Sequence, residues 1–432
     1  MVNPKPADKI KVILRRNKKE IEGILMPRAK LFSDDMLVLK LSNGYNIGIE
    51  KKSIAEIRLI EKYKERGGNE EEEIKIKQSL PTISILHTGG TIASKVDYRT
   101  GAVVAKFSPE EIIKMFPELT EIANIQSRLV FQMFSEDIEP EHWGILAKEI
   151  SEEIKKGING ILITHGTDTL SYTSSALSFM LRDLPVPVIL VGSQRSSDRG
   201  SSDAYLNIIS AARFIANTDF AGVAVCMHAT SSDICCYIHH GTNVRKMHSS
   251  SRDAFKSVNT IPIAKVFVDG NIEFLVEEYG KRDKKSLILM NNFDRKIGVV
   301  KIRPGISYNE LNFFEKRGYR GLVLEGTGLG HAPVNVLDKY TRHHKKILST
   351  LKRMSKTILV VMTTQCIYGD VNMNVYSTGR DILSAGIIPA NMLPETAYVK
   401  LGWVLGNTKN LTEAKELFLK NISGEIYERL LL

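Results

Sequence analysis

The chain is poor in cysteine: Cys226, Cys235, Cys236 and Cys366 are all there are in 432 residues, and none forms a Cys-x-x-Cys pair. The vicinal Cys235-Cys236 is a poor disulfide candidate, so the composition predicts a reducing compartment, the cytoplasm. No run approaches eighteen apolar residues, which argues against a hydrophobic membrane-spanning helix. The first residues, Met1-Val2-Asn3-Pro4-Lys5, open a stretch without an apolar core region and do not read as a secretory signal. His-Glu-x-x-His is missing, and His239-His240 and His343-His344 lack metal-ligand spacing, so no metal site is expected. A phosphate-binding Gly-x-x-x-x-Gly-Lys loop is missing too. Gly326-Thr327-Gly328-Leu329-Gly330 imitates a dinucleotide fingerprint but lacks its third-glycine spacing and a distal acidic residue; it reads as a tight strand-to-helix turn.

What is present is ordinary for a globular protein, with 43% hydrophobic and 25% charged residues. The length exceeds one compact core, so two or three domains are expected. Lys and Arg number 59 against 49 Asp and Glu, a net +10 that permits a nucleic-acid partner without requiring one. The excess is uneven. Lys5, Lys9, Lys11, Arg15, Arg16, Lys18 and Lys19 crowd the N-terminus against Asp8 and Glu20. A second cluster, Arg342, Lys345, Lys346, Lys352 and Arg353, shares its segment with an apolar stripe of Ile347, Leu348 and Leu351, and reads as a solvated helix face.

Short apolar runs at 10–14, 21–26, 36–41, 45–49 and 54–60 predict five strands, with Asn43-Gly44 as a hairpin turn. They suggest a small β-barrel over residues 1–60, a fold that does not by itself establish a function. Residues 61–79 carry few apolar side chains and read as a charged linker. From residue 80 the pattern alternates strand, loop and helix. Trp143, Leu146, Ala147, Ile150 and Ile154 mark a helix over 142–157, and strands over 160–164, 186–191 and 222–227 are separated by helices near 170–181 and 203–215. This alternation predicts a doubly wound parallel sheet over 80–285, followed by a smaller α/β domain over 295–432.

Two motifs stand out against this background. Thr88-Gly89-Gly90-Thr91 follows the apolar run 83–87, and His165-Gly166-Thr167-Asp168-Thr169 follows the run 161–164. Each places a hydroxyl beside glycine where a strand turns into a loop. In a parallel sheet such strand ends open on the edge where open α/β folds bind ligands. Either motif alone is common turn chemistry. Together they bring two threonines and a carboxylate to one place, which suits hydroxyl-nucleophile chemistry.

Thr88-Gly89-Gly90-Thr91-Ile92-Ala93, Thr164-His165-Gly166-Thr167-Asp168-Thr169 and Lys246 within 241–259 resemble the threonine-dependent L-asparaginase and glutaminase family. Val191-Gly192-Ser193-Gln194-Arg195 with Asp203, and Thr364-Gln365-Cys366, are further landmarks of the resemblance, which covers roughly residues 80–425. It implies an asparaginase-like two-domain α/β fold. Thr91 would be the first nucleophile candidate, with Thr167, Asp168 and Lys246 as a second catalytic group. Tyr98 would be the mobile-loop tyrosine. Ser135 and Glu136 would hold the substrate's α-amino and carboxylate ends, although the Glu136 position often carries Gln in the family. Gly90 and Gly166 would let the backbone approach the substrate, and the Gly89-Gly90 turn would direct an amide N–H at the oxyanion.

The family's stand-alone enzymes begin close to the first strand, whereas about eighty residues precede it here. That arrangement is similar to the D subunits of archaeal glutamyl-tRNA(Gln) amidotransferases. The resemblance implies an amidase that releases ammonia from Gln or Asn for a partner, the E subunit. It also implies a homodimeric core within a heterotetramer of two D and two E subunits. ATP and Mg are then expected on the partner, with no cofactor on this chain, and glutamyl-tRNA(Gln) is expected mainly on the partner as well. Two alternatives stay open from the residues themselves. One is a stand-alone L-asparaginase with an extra barrel; the other is a non-catalytic RNA-binding scaffold, for which the basic N-terminus is the main support.

Overall fold

A computed structural model describes residues 4–26, 35–42, 46–62, 77–90, 115–195 and 201–426, and the backbone alone of 94–96 and 103–105. The Asn43-Gly44 turn, most of the linker, Thr91 and Tyr98 lie outside these residues.

Five strands, β1 (Lys9–Leu14), β2 (Glu20–Leu25), β3 (Met36–Lys40), β4 (Asn46–Glu50) and β5 (Ile54–Glu61), form an antiparallel sheet in the order β4-β3-β2-β1-β5. Period-two alternation turns Ile10, Val12, Leu37, Leu39, Ile49 and Ile54 into one shared core. The N-terminal unit thus has an apolar interior of its own.

The larger region begins with β6 (Thr82–Gly89), followed by the short pair β7 (Ser94–Val96) and β8 (Val103–Ala105). Next come β9 (Asn124–Met133), helix α1 (Pro140–Lys155), β10 (Gly160–Thr164), helix α2 (Leu170–Met180), β11 (Leu181–Arg182) and β12 (Pro187–Val191). Helix α3 (Ala204–Asn217), β13 (Gly222–His228), β14 (Cys235–His240), β15 (Val244–Lys246), β16 (Phe255–Ser257), β17 (Ala264–Phe267) and β18 (Ile272–Phe274) complete it. Eight of these strands make one sheet in the order β18-β17-β14-β13-β12-β10-β6-β9. The segment β13-β12-β10-β6-β9 is parallel, and β14, β17 and β18 extend it antiparallel. Alternate residues feed two cores, one on each face. Ile161, Ile163, Val188 and Leu190 join one, and Leu162, Ile189, Val191 and Ala224 the other.

The chain then runs through β19 (Ile288–Leu289) into a second sheet of β20 (Ile297–Lys301), β21 (Gly321–Gly326), β22 (Leu359–Thr364) and β23 (Ile388–Pro389), all parallel. Its helices are α4 (Tyr308–Lys316), α5 (His344–Met354), α6 (Ser377–Ser384), α7 (Pro394–Asn407) and α8 (Leu411–Leu419). Helix α7 packs between α2 and the second sheet, and its Trp403 stacks on Phe179 at 5.8 Å, so both domains share one apolar seam. Ile347 and Leu351 of the basic segment are fully buried on α5, as a solvated amphipathic helix requires. The Gly326–Gly330 segment is a tight turn, closed by Thr327 N–H donating to the His331 carbonyl at 3.0 Å. It leads into an irregular stretch rather than straight into a helix, since α5 starts only at His344.

Candidate active site

The two threonine motifs meet because their strands are neighbours. β6 and β10 pair in parallel with His87 opposite Thr164, so both chains leave the sheet at the same level. β9 pairs on the other side of β6, and the crevice therefore opens where the winding reverses. Gly89 (φ +102°) and Gly90 (φ +78°) adopt left-handed backbone that side chains resist. A Cβ on Gly90 would lie 2.4 Å from the Gly166 nitrogen, and one on Gly166 would lie 2.7 Å from the Ser135 Cβ. Three loops touch almost backbone to backbone as a result. The Gly90 N–H donates to the Met133 carbonyl at 3.2 Å, just past a shift in the β6–β9 register.

Lys246 arrives from β15, which pairs with β16 over the buried Val244, Ala254 and Phe255. Arg245 beside it is tied to Glu395 of α7 at 3.0 Å. With its strand held on both sides, the Lys246 ammonium donates to Thr167 Oγ1 at 2.8 Å and to Asp168 Oδ1 at 2.7 Å. Thr167 is buried, while the Asp168 side chain is 66% exposed and open to a ligand. Ser135 braces the same loop: its hydroxyl accepts the Asp168 N–H at 3.2 Å and its carbonyl accepts the Thr169 hydroxyl at 2.6 Å. Below them, Thr88 donates to the Thr164 carbonyl at 2.9 Å.

The structure therefore brings together Thr167, Asp168, Lys246, Ser135, Gly90 and Gly166. Glu136 is exposed in the one-turn helix Ser135–Asp137, next to the cluster. Thr91 and Tyr98 fall outside the described residues.

A second layer is announced in the sequence only by Asp203 and the Gly192-Ser193-Gln194-Arg195 segment. The Asp203 carboxylate accepts the Ser193 hydroxyl at 2.8 Å and the N–H groups of Gln194 and Arg195 at 3.0 and 3.1 Å. Asn207 donates to the Gly192 carbonyl at 2.9 Å. Its amide oxygen is thereby left to accept from His228 Nδ1 at 2.6 Å. His228 Nε2 reaches Asp233 Oδ1 at 3.0 Å, and Asp233 is paired with Arg252 at 2.5 Å, six residues past Lys246. The Asn207 and Asp233 oxygens on its two nitrogens favour the charged form of His228. Burial opposes that charge, but the Cys236 thiol and then Asp233 outweigh it and raise His228 above the usual histidine range. The network supports the active loop directly, since a Cβ on Gly192 would touch Thr167 Cγ2 at 2.7 Å.

Other histidines are buried without such acceptors. Desolvation lowers His165 to about 4 and His239 to about 3. Folded-state pKa values below the unfolded 6.5 give stability that is complete above pH 6.5 and is lost as pH falls towards 4. His228 acts in the opposite sense, its contribution being fully present below pH 6.5 and lost as pH rises through its raised folded value. The expected result is a fall in unfolding free energy of about 2 kcal/mol per buried neutral ring between pH 7.5 and pH 5. Thermal unfolding across that range measures it, and an unchanged midpoint would contradict the burial argument.

Family models match in sequence along the chain. Residues 5–60 match the GatD N-terminal domain, 82–279 the N-terminal asparaginase domain, and 296–418 the glutaminase/asparaginase C-terminal domain. A glutamyl-tRNA(Gln) amidotransferase D subunit from Pyrococcus furiosus is 51% identical over 411 residues, covering 95% of this chain and 91% of its own. The chain belongs to the glutamyl-tRNA(Gln) amidotransferase D-subunit family. Another member, from Methanothermobacter thermautotrophicus, is 48% identical over 410 residues, covering 94% and 91%. Among solved structures, the thermostable L-asparaginase from Thermococcus kodakarensis superposes with a TM-score of 0.70 at 35% identity. It is matched over 99% of its length but covers 80% of this chain. An L-asparaginase I from Vibrio cholerae behaves alike, with a TM-score of 0.70, 29% identity and coverage of 99% and 81%. The D-subunit family thus has the asparaginase-like fold plus the small N-terminal domain, as the arrangement of motifs implied.

Proposed function

We propose that this chain is the amidase subunit of a tRNA-dependent amidotransferase. It hydrolyses the side-chain amide of glutamine or asparagine through a threonyl ester, and the ammonia passes to a partner that activates the glutamate on misacylated tRNA. The observation that carries the reading is the Lys246 ammonium lying 2.8 Å from Thr167 Oγ1 and 2.7 Å from Asp168, at a parallel-sheet switch point, in a member of the D-subunit family.

A threonine hydroxyl attacks the amide carbon, the hydroxyl proton moves to the leaving nitrogen, and ammonia departs; water then cleaves the ester. Thr91 is the candidate for this attack. Thr167, Lys246 and Asp168 are proposed to relay the proton and to seat the substrate's ammonium end, with Ser135, Glu136, Gly90, Gly166 and Tyr98 completing the binding site. Glutamine and asparagine differ by a single methylene, worth only about 1–3 kcal/mol in a pocket, so both are substrates of this reading. The partner is the E subunit, which carries ATP and Mg. The assembly is a heterotetramer of two D and two E subunits around a homodimer of this chain, in the cytoplasm.

A chain that feeds a partner has to release ammonia according to the partner's state, which requires differential contacts between states. Amide hydrolysis by the full chain is expected to rise when partner and glutamyl-tRNA(Gln) are added. Protein lacking residues 1–78 should keep its catalytic fold and lose docking or that coupling. Ammonia release by both proteins, each alone and with partner plus charged tRNA, tests this. An equally high rate under all conditions, with no partner bound, would favour a free asparaginase.

A further inference from the structure

The small N-terminal domain presents a cationic end that the amide chemistry does not use. The β1–β2 turn reads Arg15-Arg16-Asn17-Lys18-Lys19, and every residue in it is exposed. It has a built geometry. Lys18 sits at φ +55°, the Leu14 and Lys19 backbones are bonded at 3.0 Å, and the Asn17 side-chain oxygen accepts the Lys19 N–H at 3.1 Å. Arg15 N–H donates to the Ser53 carbonyl at 2.8 Å, which pins the turn against the one-turn helix Lys51–Ser53. Lys51 in turn donates to the Asp35 carbonyl at 2.7 Å.

Arg15, Arg16, Lys18, Lys19 and Lys51 thus gather at one end of the sheet. Among the neighbouring carboxylates, Glu20 and Glu22 are engaged by Lys11 at 2.7 and 3.1 Å and Glu50 by Lys52 at 3.1 Å, which leaves the exposed Asp35 as the one acidic side chain described beside Lys51. None of the five gathered cations forms an ion pair among the described residues. Holding like charges together without ion pairs is unfavourable, as is a left-handed lysine. A polyanion reverses the first of these costs by releasing its condensed counterions.

We infer that this turn is a contact for the phosphate backbone of RNA, and specifically of the tRNA on which the assembly acts. The choice of tRNA rests on the function proposed above. The choice of RNA over an acidic protein rests on the turn itself. Protein interfaces need apolar or aromatic anchors at their centre, and residues 15–19 and 51–52 include none. Phosphate contacts need only charge, and they position a nucleic acid without reading its sequence.

The test uses the full chain, alone and assembled with its partner, and an uncharged transcript of the cognate tRNA. The variant is Arg15→Gln/Arg16→Gln/Lys18→Gln/Lys19→Gln; a control, Lys345→Gln/Lys346→Gln/Lys352→Gln, removes charge from α5. Dissociation constants are measured between 50 and 200 mM salt. Loss of four phosphate contacts should flatten the slope of log K against log salt by about three and weaken binding at least tenfold at low salt. The control should leave both unchanged, and both variants should sediment with the partner as the unmodified chain does. An unchanged slope in the turn variant would overturn the inference, as would an equal loss in the control. A variant that keeps its slope but no longer associates with the partner would assign the turn to protein docking instead. The salt slope reads the turn alone. Ammonia release that ignores charged tRNA, with this slope change intact, would count against the proposed function and leave the RNA contact standing.

Discussion

Replacing Lys246 with alanine is expected to lower amidase turnover by at least about a hundredfold, through kcat more than KM. The Lys246 side chain is 13% exposed and its ammonium touches both Thr167 and Asp168, so no bulk water substitutes for it easily. Groups that act as one proton-transfer unit fail together, so Thr91→Ala, Thr167→Ala and Asp168→Ala should fall in the same range, and doubles among them should add little. The fold should survive, because Thr167, Asp168 and Lys246 sit at strand ends and loops while the sheet beneath is packed by Ile161, Ile163, Leu162 and their neighbours. Steady-state kinetics on glutamine and asparagine measure it. Near-normal turnover in both Thr91→Ala and Thr167→Ala would contradict a threonine mechanism.

The largest effect on stability should come from the far end of the chain. Lys400 on α7 and Glu425 form a fully buried ion pair at 2.5 Å. Lys400 also donates to the Lys420 carbonyl at 2.6 Å, and Glu425 accepts the N–H groups of Ile422 and Ser423 at 3.1 and 2.7 Å. Burial lowers the Lys400 pKa and Glu425 pulls it back up. Removing one partner strands the other charge in an apolar setting beside Phe418. Glu425→Ala is expected to cost about 3–5 kcal/mol, whereas an apolar pair such as Lys400→Met with Glu425→Leu should recover most of it. Denaturant unfolding of the three proteins tests this, and a single variant as stable as the double would contradict it.

Much of this was legible in the residues. The strands bearing the two threonine motifs are mostly apolar and run into Gly-Thr pairs, so both their burial and their termination are written locally. The helices 140–155 and 204–217 follow from apolar spacing, within two residues of expectation. β14 was not legible. Its sequence, Cys-Cys-Tyr-Ile-His-His, interrupts the apolar alternation, and His239 is buried there opposite Val225 of β13 with its Nδ1 on the Ser257 hydroxyl of β16. The Asp203–Asn207–His228–Asp233–Arg252 network was hidden for a related reason. Its members lie on four separate segments, and only tertiary packing brings a lone histidine between a carboxamide and a carboxylate. The signal that did exist was Asp203 after Gly192-Ser193-Gln194, a carboxylate near a loop rich in N–H donors. The shift in the β6–β9 register just before Gly90 is announced by no local pattern either.

The most direct test follows the amide nitrogen itself. Glutamine labelled with 15N in its side chain is supplied to this chain with its partner, ATP, Mg and glutamyl-tRNA(Gln), and the aminoacyl group is analysed by mass spectrometry. The label should appear in tRNA-bound glutamine, disappear from it in Thr167→Ala, and be replaced there by nitrogen from added free ammonia. Label that stays in solution with the unmodified chain, or transfer that survives loss of Thr167 and Lys246 together, would contradict the assignment of this site as the source of the ammonia.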